Sequence, residues 1–388
     1  MKTDIARRNF MGKFAVLLGY AGLGPLQLSA QGRARQGSGT ASGAPDPKKV
    51  DYDKLIKLAN NENPYGPSPA VMAAMQNGLS AANRYPDHPY ELFLDRLARL
   101  HNVSREQIVP GCGSTEILRL AVVAFLQPGK NLIVPMPTFE AIAEYAESIS
   151  AKVEKVPLTS TFAHDLDQML ARADQNTALT YICNPNNPTG SLTPRKDLER
   201  FVQKLPPQTF VLIDEAYHHF ANSPDYVSFI DHPVDDPRVI VARTFSKVYG
   251  MAGIRLGYGI GTARVMEKLR RHKLQDNLNI LAATAGVAGL DDIRGTERSV
   301  SRNAEVRLQF QKDAVGRGLK PIPSYANFVM LETGRPIQDL VEHFRYHQIL
   351  IGRAFPPMNT YARVSLGTPE EMATFWRTWD TLPTPKAS

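Results

Sequence analysis

From about residue 85 onward the apolar residues fall into two spacings. Asn131 to Val134, Leu179 to Cys183, Phe210 to Ile213 and Val239 to Arg243 are short runs rich in Val and Ile, the pattern of strands buried on both faces. Between them apolar residues recur at helical spacing. Leu92, Phe93, Leu97 and Leu100 mark a helix over Glu91 to Leu100, and Thr115 to Phe125 reads as another behind a glycine turn. Strand runs separated by helices predict a wound, mainly parallel α/β sheet. Farther on, a long helix from Asp291 to Gly318, a strand from Ala326 to Leu331, a helix near residues 336–347 and a strand from Ala362 to Leu366 read as a smaller α/β domain. The expected organisation is a signal segment (1–30), a flexible linker (31–47), an N-terminal segment (48–84), a large domain (85–288) and a small C-terminal domain (289–388). No internal repeat is present.

The first thirty residues differ from the rest. Arg7 and Arg8 are followed by Phe10 and Met11, then by a mostly apolar stretch from Phe14 to Gly24. That stretch is too short to cross about 30 Å of hydrocarbon, which takes roughly 20 helical residues. A charged start, a short apolar middle and a small-residue end, with Ala30 as one cleavage candidate, fit a secretory signal. The Arg-Arg-x-Phe-Met pattern resembles a twin-arginine export signal. The expectation is a periplasmic or exported protein in transient contact with an export machinery and without a stable membrane anchor. If the signal is not used, the protein stays in the cytoplasm. The plainer alternative is an amphipathic helix packed on the body of the protein. Residues 31–47 are rich in Gly, Ser, Ala and Pro, the composition of a flexible linker.

Composition narrows the function classes. With 388 residues, 43% hydrophobic and 21% charged, the chain has ample material for a core and is not disordered over most of its length. Its two cysteines, Cys112 and Cys183, exclude a disulfide framework and a zinc cluster built on thiolates. The net charge of +7 comes in good part from the first thirty residues, and there is no basic block elsewhere. A nucleic-acid partner therefore has little support.

Four motifs stand at the ends of expected strands, where open α/β sheets bind ligands. Gly111-Cys112-Gly113-Ser114-Thr115 precedes a helix, an arrangement that lets backbone N–H groups hold an anion, although glycine before a helix is common. Asn184-Pro185-Asn186-Asn187-Pro188-Thr189-Gly190 is either a rigid turn or a device that fixes an amide at a strand end. Asp214, straight after four apolar residues, either caps a turn or is buried and needs a cationic partner. Arg243-Thr244-Phe245-Ser246-Lys247, with Arg255 eight residues on, groups a lysine with hydroxyls and a second cation.

In this order, and together with Asn61-Glu62-Asn63-Pro64-Tyr65-Gly66, Arg84-Tyr85-Pro86-Asp87 and Arg363-Val364-Ser365-Leu366-Gly367-Thr368, the motifs resemble the fold-type I pyridoxal-phosphate aminotransferases. The similarity is to the histidinol-phosphate aminotransferase-like branch and covers essentially residues 55–380. It implies the aspartate-aminotransferase-like fold and pyridoxal 5'-phosphate as cofactor. By motif position, Lys247 forms a Schiff base with the cofactor aldehyde and later moves the substrate Cα proton. Asp214 pairs with the ring nitrogen, Asn187 and Tyr217 donate to the ring 3-oxygen, and Phe139 stacks on the ring. The phosphate falls to Ser114, Thr115, Thr244 or Ser246, and Arg255, with Tyr85 reaching over from a second subunit. The resemblance thus implies a homodimer with shared active sites. Arg363, assisted by Arg353 and Asn187, receives the substrate carboxylate, or a phosphate where the substrate has no α-carboxylate.

The implied reaction moves an amino group from an amino acid or amino-alcohol phosphate to a 2-oxo acid by a ping-pong mechanism. A decarboxylase or racemase on the same scaffold, or a non-catalytic periplasmic binding protein, are the alternatives. Some positions depart from the family pattern: Cys112 and Thr115 in the glycine loop, Phe139 for the commoner tyrosine, and Gln275 to Asn279, a segment that borders the substrate in relatives. No metal site is expected, since the adjacent His218 and His219 should point apart. Cys183 reads as a small buried hydrophobe, and Trp376 and Trp379 as core of the small domain.

Overall fold

A computed structural model of the chain describes residues 54–231 and 236–383. The signal and linker expected over residues 1–47 lie outside the described residues.

The first elements are strand β1 (Ile56–Leu58), helix α1 (Pro69–Gly78) and helix α2 (Asp87–His101). Ser68 caps α1 by accepting from Val71 N, with Pro69 in the first turn. A large sheet follows, made of β2 (Ile108–Gly111), β3 (Asn131–Met136), β4 (Lys152–Pro157), β5 (Thr177–Cys183), β6 (Phe210–Asp214), β7 (Val239–Thr244) and β8 (Gly257–Gly261). Its spatial order is β2-β8-β7-β6-β5-β3-β4. β8 runs antiparallel to both neighbours, and the pairings from β7 to β4 are parallel. The sheet is thus mainly parallel, as the uninterrupted apolar runs predict.

Side chains alternate between two helical layers. On β6, Val211 and Ile213 join the core formed by α1, α2, α5 (Leu166–Ala171), α6 (Arg195–Lys204) and α8 (Ile280–Asp291), while Leu212 faces the other side. That second layer comprises α3 (Ser114–Phe125), α4 (Ala141–Ser148) and α7 (Ala263–Arg270).

Three strands of this sheet are absent from the sequence reading. β4 lies at an edge, carries two lysines and a glutamate among its six residues and buries only one of them, so its apolar signal is weak. β2 is only four residues long. β8 is Gly-Tyr-Gly-Ile-Gly, a composition of low strand propensity. A Cβ at Gly259 would sit 2.9 Å from the Ile117 side chain, so close packing of α3 accounts for that glycine.

The long helix expected from Asp291 is α9 (Ile293–Gly316), set off from α8 by Asp292, whose carboxylate caps it through Gly295 N. Strands β9 (Lys320–Pro321), β10 (Phe328–Glu332) and β12 (Tyr361–Ser365) form a small antiparallel sheet, and β11 (Ile349–Ile351) pairs in parallel with β1. Their core includes α9, α10 (Ile337–Tyr346) and α11 (Pro369–Trp379). Trp376 is buried there, stacked on Phe310, and Trp379 packs against the same cluster.

Candidate active site

Carboxyl ends of the parallel strands converge on a cavity of about 330 Å³. Asp214 ends β6, Asn187 follows β5, Thr138 and Phe139 follow β3, and Lys247 follows β7. Ser114, Thr115, Tyr217, Thr244, Ser246, Arg255, Arg353 and Arg363 complete the set of sequence-selected residues that line it. Tyr85 does not. It is 72% exposed and lines no part of the cavity of its own chain. The segment Gln275 to Asn279 is also outside: Asn277 donates to Pro110 O and Glu116, and Asn279 caps α8 through Ala282 N.

One end of the cavity is built for an anion. α3 begins after Gly113, which has φ +76° and brings no side chain to cap the helix. A Cβ on Gly113 would lie 2.4 Å from Arg255 Nη2. The arginine therefore reaches the helix start only because that position is glycine. Arg255 donates from Nη2 to Thr115 Oγ1 at 3.3 Å and from Nη1 to Ser246 Oγ at 3.2 Å. Thr244 Oγ1 donates to Ser246 Oγ at 3.0 Å. Hydroxyls, helix amides and a guanidinium thus share one corner, the chemistry of a phosphate cradle.

At the floor, Asp214 is buried and accepts from Tyr181 Oη at 2.9 Å and from Ala216 N at 3.0 Å. Burial raises its pKa to about 6, against the lowering effect of these two bonds and of Lys247. Among the described residues no cationic side chain bonds to it, which leaves it free to take a ligand N–H. Lys247 is half-buried and donates from Nζ to Asn60 O at 3.1 Å. Burial first, and then Arg363 and Arg255, bring its pKa down to about 8. The neighbouring β6 and β7 ends are tied by the buried pair Arg243–Glu215 at 2.9 Å, with Ser228 Oγ and Phe229 N also donating to Glu215.

Tyr217 Oη accepts from Asn61 Nδ2 at 3.0 Å, so its own proton remains available. Burial pushes its pKa up. Arg363 Nη1 donates to Asn187 Oδ1, which leaves the Asn187 amide nitrogen as a donor, and Nη2 donates to Ala59 O. Arg363 is buried, its Nε has no partner among the described residues, and burial lowers its pKa to about 10. Arg353 is more exposed and forms an ion pair with Glu140.

Several lining residues are not marked by any role in the sequence. Asn61 stands in a quoted motif, has φ +55°, and ties Tyr217 to Ser365 through its amide and backbone. Asn60, Glu140 and Phe355 also line the cavity, and no local spacing distinguishes them. Cys183 lies in the wall as a buried thiol that contacts Pro185 O at 3.3 Å.

His218 and His219 require a correction. They do not point apart: on a tight turn over His218–Phe220 their ring centroids lie 3.6 Å from each other. His219 packs edge-on against Tyr249. Burial pulls both pKa values down. Among the described residues no group of three His, Cys, Asp or Glu is arranged to hold a metal.

An anion cradle, a buried carboxylate without a cation, and an amine of lowered basicity complement the phosphate, ring nitrogen and aldehyde of pyridoxal phosphate respectively. Comparison with known proteins leads to the same chemistry. The model of the aminotransferase class I and II family matches residues 53–377. The chain belongs to this family of pyridoxal-phosphate-dependent aminotransferases. It is 36% identical over 330 residues to the histidinol-phosphate aminotransferase of Symbiobacterium thermophilum, covering 84% of this chain and 90% of that protein. The histidinol-phosphate aminotransferase of Sinorhizobium meliloti, solved in complex with pyridoxal-5'-phosphate, superposes with a TM-score of 0.80 at 26% identity, over 89% of this chain and all of that one. A double mutant of the Thermus thermophilus aspartate aminotransferase, 19% identical, shares the fold with a TM-score of 0.73 over 84% of this chain and 91% of its own. As a family member, the chain is an enzyme of the transaminase type.

Proposed function

We propose that this aminotransferase moves an amino group from an amino acid or an amino-alcohol phosphate to a 2-oxo acid, in two half-reactions at the one cavity. The observation that carries the reading is the convergence of Asp214, Lys247, Arg255 and Arg363 on a single space. The bound cofactor would supply a ring that withdraws electrons from the substrate Cα.

The protein's own groups do the rest. The phosphate would be held by Arg255, Thr115, Ser246 and the amides at the start of α3, and Asp214 would accept the ring N–H. Tyr217 Oη and Asn187 Nδ2 would donate to the ring oxygen, with Phe139 as an apolar wall. Arg363 offers its planar fork to a carboxylate. Lys247, with a pKa of about 8, carries a usable neutral fraction near neutral pH and can take a proton from the substrate Cα. Because Tyr85 lines no part of its own chain's cavity, its expected contact with the phosphate calls for a second copy, and we include a homodimer in the proposal. Export through residues 1–30 is also part of it, motivated by the paired arginines.

The test uses purified holoenzyme and a panel of amine donors, with histidinol phosphate among them because of the relatives' activity. A donor should convert the cofactor absorbance to the amine form, and a 2-oxo acid should reverse it. Lys247→Ala should lose at least about 1,000-fold in turnover, the scale of a positioned proton carrier. Full transamination by that variant would refute the assignment. Carbon dioxide release without reversal would replace it by a decarboxylase.

A further inference from the structure

The charges around the cavity are distributed unevenly. Lys247, Arg255, Arg353 and Arg363 supply positive charge, and Asp214 and Glu140 supply negative charge. On the transaminase reading, the cofactor engages Lys247, Arg255 and Asp214. Arg363, Arg353 and Glu140 remain for the substrate.

The two remaining arginines differ. Arg363 is buried, and among the described residues its Nε donor has no hydrogen-bond partner. A buried, unpaired donor of this kind is costly unless a ligand accepts from it. Arg353 already has a carboxylate: its Nη2 pairs with Glu140 Oε2, and its Nη1 donates to Ala354 O at 2.9 Å. The pair joins segments 213 positions apart in sequence. Phe355 contacts both guanidinium groups, with its ring centroid 4.5 Å from Arg353 Cζ and 4.6 Å from Arg363 Cζ.

We propose that Glu140 is a specificity-determining residue that favours substrates with a single anionic group, held by Arg363, over those with a second carboxylate or a phosphate on the side chain. The inference rests on the transaminase reading and narrows its substrate class. A second anion reaching Arg353 must break the pair with Glu140, and the released carboxylate then stands beside the incoming like charge. An uncharged side chain leaves the pair intact and packs on Phe355 and Phe139. With side-chain exposures of 58% for Arg353 and 38% for Glu140, water screens the pair, so the selectivity is a matter of several-fold.

The holoenzyme and its Glu140→Gln variant should be titrated calorimetrically with glutarate and with pentanoate, two unreactive acids that differ by one carboxylate. The variant should bind glutarate about fivefold more tightly, with pentanoate little changed. Adding Arg353→Gln should erase the gain. In kinetics, kcat/KM for glutamate relative to norvaline should rise by a similar factor, mainly through KM. If Glu140→Gln does not fold, Glu140→Ser serves the same comparison. Unchanged glutarate affinity, or equal shifts for both acids, would overturn the role of Glu140 while the enzyme still turns over donors. If no donor reacts and neither acid binds, both this inference and the transaminase reading are lost.

Discussion

Asp214 shows how a single buried group sets a pH dependence. Its raised pKa of about 6, against an unfolded value near 3.8, means that it binds a proton more readily in the folded state. Its contribution to stability is full below the unfolded value and is lost as pH rises through about 6, a swing on the order of 2–3 kcal/mol in the cofactor-free protein. Asp214→Asn should therefore stabilise the apoprotein near neutral pH by roughly that amount and flatten the profile between about pH 4 and 6, as read by urea unfolding. The same variant should lose most turnover when loaded with cofactor. A steep profile that survives the substitution would show that another group carries it. Asp214, Asn187 and Lys247 were legible in the sequence because each trails an apolar run of strand length and stands in a motif that resembles the aminotransferase pattern; the runs alone left a turn cap or a rigid turn open. Glu140 and Asn61 were not. Their partners, Arg353 and Tyr217, are 213 and 156 positions away, and only the folded chain brings them together.

Among the elements, α3 and β8 fix the anion corner jointly. Gly113→Ala combines an unfavourable positive φ with a Cβ 2.4 Å from Arg255 Nη2. The expected cost is about 1 kcal/mol of stability and a loss of at least about tenfold in affinity for pyridoxal phosphate, since displacing the guanidinium would remove charge-assisted bonds to the phosphate. Titration of the apoprotein with the cofactor measures it, and an unchanged affinity would remove Arg255 from the cradle. Gly257 constrains the same corner from the other side, because a Cβ there would lie 2.3 Å from Ser114 N. The strands β3, β5, β6 and β7 and the helices α2, α3, α9 and α10 were foreshadowed in the sequence, whereas α8 was not. Glycine-rich β8 and charged β4 were hidden because the first contributes mainly close approach and the second is half-solvated.

For the whole molecule, the stretch ahead of the first described residue carries the expected address. Replacing Arg7 and Arg8 by lysine should retain the protein in the cytoplasm, while the native sequence delivers it to the periplasmic fraction. Equal distribution of the two would reject the export proposal. Within the described residues, widely separated parts of the chain meet at the site. Ala59 O accepts from Arg363, Asn60 O from Lys247, and Asn61 N donates to Ser365. A nascent polypeptide halted before residue 363 holds the lysine and the aspartate but lacks the guanidinium that clasps Ala59 O and Asn187 Oδ1, so this wall of the cavity is completed only when translation has all but finished.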